Sequence, residues 1–167
     1  MRFCIAAVLA AFLWGTSMNT NAQTSLPPAI QAVGETVVLT LHAEGAQIYE
    51  CKADETGKLA WVLREPTATL ILDGKTVGRH YAGPNWELSD GSAIVGKAVA
   101  TAPGATGKDI PLVKLEVISA RGSGQLTGIT TVQRINTEGG KADAPCVKAG
   151  AYFSAPYAAD YVFLKKA

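Results

Sequence analysis

The feature that most constrains the fold is a series of short segments in which apolar and polar residues alternate. In the first of them, Val37, Leu39 and Leu41 occupy every second position. An alternation with a period of two places these side chains on one face of a β-strand. No segment beyond residue 22 carries an apolar stripe of helical period with capping signals. The pattern therefore predicts a single all-β domain, an antiparallel β-sandwich or a closed β-barrel of about eight or nine strands.

Glycine and proline separate the predicted strands, which are 36–42, 46–51, 59–65, 67–72, 93–100, 112–119, 129–136 and 157–164. We expect a hairpin between the first two strands because Gly45 lies between them. Pro66 is predicted to end the third strand, since proline lacks the backbone donor of a sheet ladder. Asp73-Gly74 is a dipeptide typical of tight turns, so a hairpin is predicted there.

The N-terminus has the pattern of a secretory signal peptide over residues 1–22. Arg2 supplies a positive charge, 4–14 is apolar, and Thr20-Asn21-Ala22 provides small residues for cleavage after Ala22. The apolar run is shorter than the roughly twenty residues that span a bilayer, so we expect no membrane anchor after cleavage. The alternative is an uncleaved anchor helix. The sequence thus predicts an exported protein, periplasmic or extracellular.

Beyond the signal peptide, residues 23–34 are predicted to be an extended lead-in and residues 35–167 the β domain. The whole chain has 15 basic and 14 acidic residues, and loss of Arg2 leaves 14 of each, so that the mature formal charge is 14 − 14 = 0. Nucleic-acid binding normally requires a basic surplus or stripe. We therefore expect no nucleic-acid partner.

Two cysteines, Cys51 and Cys146, follow the signal peptide. In an oxidising compartment such a pair is most simply a disulfide, which would stabilise the fold by roughly 4 kcal/mol. The alternative is a catalytic thiol, which would need a neighbouring base.

Residues 78–96 form the segment richest in side chains that can bind or react, and we predict that these side chains lie in a long loop that leads into the strand 93–100. Loops on a rigid β scaffold commonly carry recognition residues. The candidate ligand-binding residues are His80, Tyr81, Asn85, Trp86 and Glu87.

Each candidate also has a structural alternative. His80 could act as a base, contact a ligand or bond to a backbone carbonyl. Tyr81 and Trp86 could form an exposed aromatic platform or pack into the core. Glu87 and Asp90 could serve as the carboxyl pair of a glycosidase, although Asp90-Gly91-Ser92 is also typical of a turn.

Two kinds of site are not expected. A metal centre is disfavoured because His42 and His80 are the only histidines and lack ligand spacing, and no cofactor is predicted. Residues 122–128 are rich in glycine, but their spacing differs from the dinucleotide fingerprint, and they are predicted to be a hairpin turn. A predicted strand follows them where a helix would be required, so the chain is not expected to be a dehydrogenase.

Several blocks of the sequence resemble a family known as domain of unknown function 3455, which occurs in exported bacterial and fungal proteins. These blocks are 47–51, Trp61 with Pro66 and Ala68, 78–92, 133–140 with Cys146, and 157–163. The resemblance implies an exported protein and assigns no activity. Some fungal members carry a malate dehydrogenase label, whose nucleotide fingerprint is absent here. At 110–112 this chain has Ile-Pro-Leu where the family pattern has Ile-Pro-Trp.

Three functions follow as hypotheses. The first is a non-enzymatic module that binds a small polar or glycan ligand through the five candidate residues. The second is a small hydrolase that uses Glu87 or His80 with Asp90. The third is a structural protein of the cell envelope or matrix, in which the segment 78–96 only connects strands.

Overall fold

The computed structural model describes residues 25–166, which contain one short 3-10 helix and eight β-strands. The helix is Pro28–Ile30. The strands are β1 (Glu35–Ala53), β2 (Leu59–Leu72), β3 (Lys75–Tyr81), β4 (Asn85–Leu88), β5 (Ala93–Ala102), β6 (Leu112–Arg121), β7 (Thr131–Gly139) and β8 (Tyr152–Lys166).

Each strand pairs antiparallel with the next one along the chain, and β8 pairs with β1. The eight strands therefore form one sheet that closes on itself. The all-β prediction is confirmed, with a single closed sheet instead of two packed sheets. No helix within residues 25–166 has the length and apolar character needed to cross a membrane.

The core lies inside the closed sheet because alternate side chains of every strand point inward. Its largest members are Trp86, Tyr161 and Phe163, each with at most 1% of its surface exposed. Trp86 packs edge-on against both of the other rings, at centroid distances of 5.3 and 6.1 Å. Burial of each large apolar side chain contributes roughly 2 kcal/mol to stability.

The predicted hairpin at Gly45 is wrong, since β1 continues through this glycine as part of one long strand. Gly45 pairs with Ala68 of β2 and with Tyr157 of β8. A Cβ atom at position 45 would lie 2.0 Å from the carbonyl oxygen of Thr67. The glycine is required for close approach of two strands and not for a turn.

The predicted end of a strand at Pro66 is also wrong, because β2 runs through it. Pairing of β2 with β3 begins only at Ala68, so at Pro66 β2 is paired on one side, with β1. A register shift lies nearby, opposite Ile48 and Tyr49. Proline is tolerated where a strand has a free edge or a bulge.

Residues 78–96 are not a long loop. They contain the end of β3, all of β4 and the start of β5, and the first two strands are joined by a short connection at 82–84. The predicted turn at Asp73-Gly74 is confirmed between β2 and β3, with φ values of 49° and 74°.

The lead-in packs on the outer side of the sheet. Ile30 is fully buried, and its carbonyl accepts a hydrogen bond of 2.6 Å from Nε2 of Gln133 in β7. Lys114 of β6 donates to the carbonyl of Gln31. These contacts fix the segment before β1. The predicted signal peptide, residues 1–22, lies outside the described residues.

The disulfide between Cys51 and Cys146 is present and confirms the predicted pairing, with Cα atoms 5.5 Å apart. It joins the end of β1 to the connection between β7 and β8. Trp61 supports the same junction, since its Nε1 donates to the carbonyl of Ala144 and its ring packs on Phe153. Trp61 is only partly buried and lies outside the main core.

Candidate functional site

The pleat of the sheet divides the five predicted site residues between two faces. His80 and Trp86 are cross-strand partners on β3 and β4 and point inward, with 3% and 0% of their surfaces exposed. Tyr81 and Glu87 are the next residues along the two strands and point outward. Tyr81 and Trp86 therefore form no common exposed platform, because they lie on opposite sides of the sheet, and Trp86 has the core position that was its structural alternative.

Asn85 closes the connection between β3 and β4. Its side-chain amide donates to the carbonyl of Ala82, and its own carbonyl accepts a hydrogen bond of 2.8 Å from Nδ1 of His80. Asn85 thus holds the β3–β4 connection in place and orients the buried ring of His80.

His80 is held as a neutral imidazole. Because Nδ1 donates to a carbonyl, the proton is on Nδ1 and the lone pair is on Nε2. Burial lowers the pKa of His80 to about 4, and the nearby charge of Arg134 acts in the same direction. The ring stacks on Trp86 at 4.7 Å and contacts Tyr161 at 4.8 Å.

Three buried side-chain polar atoms have no hydrogen-bond partner among the described residues. They are the amide Nε2 of Gln47 in β1, the indole Nε1 of Trp86 in β4 and the hydroxyl Oγ1 of Thr137 in β7. Gln47, Trp86 and Thr137 are 1%, 0% and 4% exposed, so none of the three atoms is open to bulk water. Buried polar groups are nearly always hydrogen-bonded in native proteins, and exceptions commonly mark a functional site.

Gln47 and Trp86, but not Thr137, are among the residues that line a pocket of about 300 Å³, and the two donor atoms lie just beneath its surface. The lining residues are Gln47, Leu63, Arg64, Pro66, His80, Gly83, Pro84, Trp86, Ala98, Val113, Leu115, Arg134 and Tyr161. Small-molecule sites commonly have volumes of roughly 300 to 1,000 Å³ and combine apolar walls with a few polar groups. The pocket has this size and this character.

The charged residues that line the pocket are both positive, since the lining includes Arg64 and Arg134 but no acidic residue. Arg64 forms an ion pair with Glu65 and lies over the ring of Tyr152. Arg134 forms no ion pair within residues 25–166, and its Nε and Nη2 donate to the carbonyl of Pro111.

Two tyrosines extend the polar part of the interior. The hydroxyls of Tyr157 and Tyr161 are 3.3 Å apart, and both residues are buried. Burial raises the pKa of each phenol, while the charge of Arg134 opposes this rise. Both phenols are consequently protonated at neutral pH and can donate hydrogen bonds.

On the outer face, Glu87 is the centre of a separate ionic cluster. Its two carboxylate oxygens contact Arg79 and Arg121, and the hydroxyl of Tyr81 donates to it at 2.8 Å. The hydrogen bond from Tyr81, followed by that from Arg121, holds the pKa of Glu87 below its usual value. A carboxylate engaged in this way is poorly suited to act as a general acid.

Asp90 has the role that the turn alternative predicts. One oxygen accepts from the backbone and the hydroxyl of Ser92, and the other accepts from the backbone of Gln125. These bonds tie the β4–β5 turn to the β6–β7 connection. The structure does not bring Asp90, Glu87 and His80 to one site, since each belongs to a different local network.

Gln47 and Arg134 are the pocket residues that the sequence did not identify as a site. Gln47 follows Leu39, Leu41 and Ala43 at two-residue spacing once β1 is recognised as a continuous strand. A glutamine at an inward position was the available signal. Within residues 25–166, no group of three metal-binding side chains is present.

The fold and the pocket define a class of protein: a closed antiparallel β domain with an opening into its interior. The chain belongs to the family described as "Protein of unknown function (DUF3455)", whose model matches residues 32–74 and 71–165. The resemblance found in the sequence is thereby confirmed. Comparison with curated proteins and with solved structures gave no match.

Proposed function

We propose that this protein is a non-enzymatic binding module that holds a small ligand in the pocket inside the closed sheet. The observation that carries the proposal is a pocket of about 300 Å³ whose lining combines apolar and aromatic side chains with the polar residues Gln47, His80 and Arg134. Two residues of this lining, Gln47 and Trp86, also carry buried donors without acceptors. A ligand with an acceptor group would satisfy these donors once a small movement of the surrounding side chains exposes them to the pocket.

The energetic argument follows from desolvation. A buried donor left without a partner costs about 1 to 3 kcal/mol, so the two together are a substantial fraction of a domain's stability. A bound acceptor recovers part of this cost at each donor. A ligand that bonds to these donors should therefore raise the free energy of unfolding of the protein.

Binding without catalysis is favoured by the state of the one titratable base in the pocket. His80 is neutral and locked by Asn85, and no carboxylate lines the pocket to orient it as a general base. The carboxylate of Glu87 is engaged on the opposite face of the sheet.

We further propose that the protein acts in the periplasm or outside the cell. The disulfide between Cys51 and Cys146 supports this location, since such bonds form and persist in oxidising compartments. Fractionation of cells that express the full chain, followed by N-terminal sequencing, should find the protein outside the cytoplasm and beginning at Gln23. A cytoplasmic protein that retains residue 1 would contradict the proposal.

The binding proposal is tested with small phenyl-bearing acids, amides and alcohols, screened by thermal shift and native mass spectrometry. Ala98 lines the pocket, whereas the neighbouring Val99 is exposed and does not line it. We expect fragments that bind the wild type to lose binding in Ala98→Trp and to keep it in Val99→Trp. Equal binding to both variants would place the ligand on another surface.

The structural hypothesis retains one supporting observation. Asn85, His80 and Asp90 all bond to backbone groups, as a segment that only connects strands would require. This function would be favoured if no fragment bound the wild type and if substitutions in the pocket changed stability alone.

A further inference from the structure

We propose that the pocket selects small organic carboxylates with an apolar body, and that Arg134 binds the carboxylate. This inference rests on the proposed function and specifies its ligand class. It is drawn from the charge, the donors and the apolar wall of the pocket, which point to the same chemistry.

The first argument is charge. The lining contains two arginines and no acidic residue, although the predicted mature chain has a net charge of 14 − 14 = 0. Arg64 has its own partner in Glu65, so Arg134 provides the unpaired positive charge. An anionic ligand would neutralise that charge in surroundings less polar than water, where the attraction is stronger.

The second argument is the geometry of Arg134. Its Nε and Nη2 donate to the carbonyl of Pro111 at 3.2 and 2.9 Å, so one edge of the guanidinium is fixed to the start of β6. A guanidinium carries five N–H donors; two are used by the carbonyl of Pro111, the side chain also hydrogen-bonds Tyr161, and the remaining donors can offer a pair of hydrogen bonds to a ligand. A carboxylate is the planar anion that matches such a pair.

The third argument is the kind of polar group that surrounds the pocket. Of the three buried groups without partners, the two on residues of the pocket, Gln47 and Trp86, are both N–H donors, and the hydroxyl of Thr137 belongs to a residue outside the lining. An ionised carboxylate only accepts hydrogen bonds, and its two oxygens can accept several. A ligand that mainly donates, such as an amine, would meet neither these donors nor the arginine charge.

The fourth argument is the apolar wall, which would hold the body of the ligand. Pro66, Val113 and Leu115 line the pocket beside the indole of Trp86 and the phenol ring of Tyr161. Contact with these groups removes apolar surface from water and is worth about 25 cal/mol per Å². An aromatic or short aliphatic acid therefore fits better than a bare inorganic anion.

The test uses three probes with one body: 4-phenylbutyrate, 4-phenylbutanamide and 4-phenylbutan-1-ol. Their affinities for the full-length protein are measured by isothermal titration calorimetry at pH 7. We expect the acid to bind at least about tenfold more tightly than the amide or the alcohol, as a charge-assisted pair requires. Added salt should weaken the binding of the acid and leave the binding of the amide and the alcohol unchanged.

Arg134→Gln should abolish the preference for the acid, and Arg79→Gln should leave it unchanged, because Arg79 lies in the outer cluster. Arg134→Lys provides a variant that keeps the charge if Arg134→Gln does not fold. It should retain a preference for the acid with at least about threefold weaker binding, since an ammonium cannot form the bidentate pair.

The outcomes are distinguishable. Equal affinity of the acid, the amide and the alcohol for the wild type would overturn the carboxylate inference and leave the proposed function in place. Acid affinity that is unchanged in both Arg134 variants would overturn the role of Arg134. Absence of binding by all three probes would overturn both the inference and the proposed function.

Discussion

Two buried glutamines of the sheet differ in whether their amides are satisfied. Nε2 of Gln133 donates to the carbonyl of Ile30 at 2.6 Å, whereas Nε2 of Gln47 has no partner among the described residues. Both residues are at most 1% exposed. The amide of Gln133 therefore stabilises the fold, whereas the amide donor of Gln47 makes no such contribution within the described residues.

This contrast gives a prediction at the residue scale. Gln47→Met removes an unsatisfied donor at nearly constant volume, so the free energy of unfolding should stay constant or rise by about 1 kcal/mol. Gln133→Met removes a satisfied donor and leaves a carbonyl without a partner, so it should cost about 1 to 3 kcal/mol. Urea denaturation of both variants measures the difference. Equal losses in the two variants would contradict the assignment of Gln47 to the pocket.

His80 gives a second prediction, on pH dependence. Its pKa is lowered from 6.5 to about 4 in the folded protein, so the unfolded chain takes up a proton first as the pH falls. Neutral His80 makes its full contribution to the free energy of unfolding above about pH 6.5, and this contribution is lost as the pH falls toward 4. Between pH 7 and pH 4 the loss is about 3 kcal/mol.

The control for this prediction is His80→Asn, which keeps a side-chain donor and does not titrate in this range. Carboxylates with lowered pKa values, such as Asp109, also lose stability in acid, but they do so in both proteins. The wild type should therefore lose about 3 kcal/mol more than the variant over this range. Parallel curves of unfolding free energy against pH would contradict a buried neutral imidazole.

At the residue scale, the sequence identified the types of side chain at the site better than their positions. His80 and Trp86 were candidates, and both line the pocket. Their separation from Tyr81 and Glu87 depends on the strands β3 and β4, which were not predicted. The place of Arg134 in the pocket could not be predicted, because its hydrogen bonds to the carbonyl of Pro111 join segments that are 23 residues apart in sequence.

At the scale of elements, β1 shows why strand ends were harder to predict than strand identity. Alternation along 36–42 and 46–51 was interpreted correctly as β-structure. Gly45 was interpreted as a turn because glycine is common there, although it is needed for close contact with Thr67 and Ala68. The strands β3 and β4 are short and rich in polar residues, so their alternation carried little signal.

The close contact at Gly45 leads to a prediction at this scale. In Gly45→Ala the new methyl group would overlap the carbonyl of Thr67 at 2.0 Å, which neither strand can relieve without moving. The substitution should cost about 3 kcal/mol of unfolding free energy. Gly107→Ala is the control, since no atom lies within 4 Å of its Cβ position, and should change stability by less than about 0.5 kcal/mol. A tolerated Gly45→Ala would contradict the continuous strand.

At the scale of the whole molecule, closure of the sheet depends on pairing between β1 and β8, the first and last strands. Such pairing carries a high entropic cost of chain closure. The disulfide reduces this cost, since it joins residues 95 apart in sequence next to the β1–β8 pair. Cysteine pairing was predictable because only two cysteines follow residue 22. Closure of the sheet was not, because it depends on contacts between distant strands that the alternation of residues does not reveal.

The disulfide therefore gives a prediction for the whole molecule. Replacing both cysteines, as Cys51→Ala with Cys146→Ala, should lower the free energy of unfolding by roughly 4 to 5 kcal/mol in the chain-entropy treatment of a loop of this length. Urea denaturation of the double variant and of the oxidised wild type measures the loss. Identical midpoints would show that the bond does not restrict the unfolded chain.

The central claim is that the interior pocket, and not the outer face of β3 and β4, binds the ligand. Trp61 and Trp86 provide two internal reporters, since the indole N–H of Trp61 already donates to Ala144 and that of Trp86 has no acceptor within residues 25–166. Their resonances can be followed in a ¹⁵N–¹H spectrum during titration with 4-phenylbutyrate. We expect the Trp86 signal to move downfield and saturate while the Trp61 signal stays in place. A stationary Trp86 signal at saturating probe would contradict the claim.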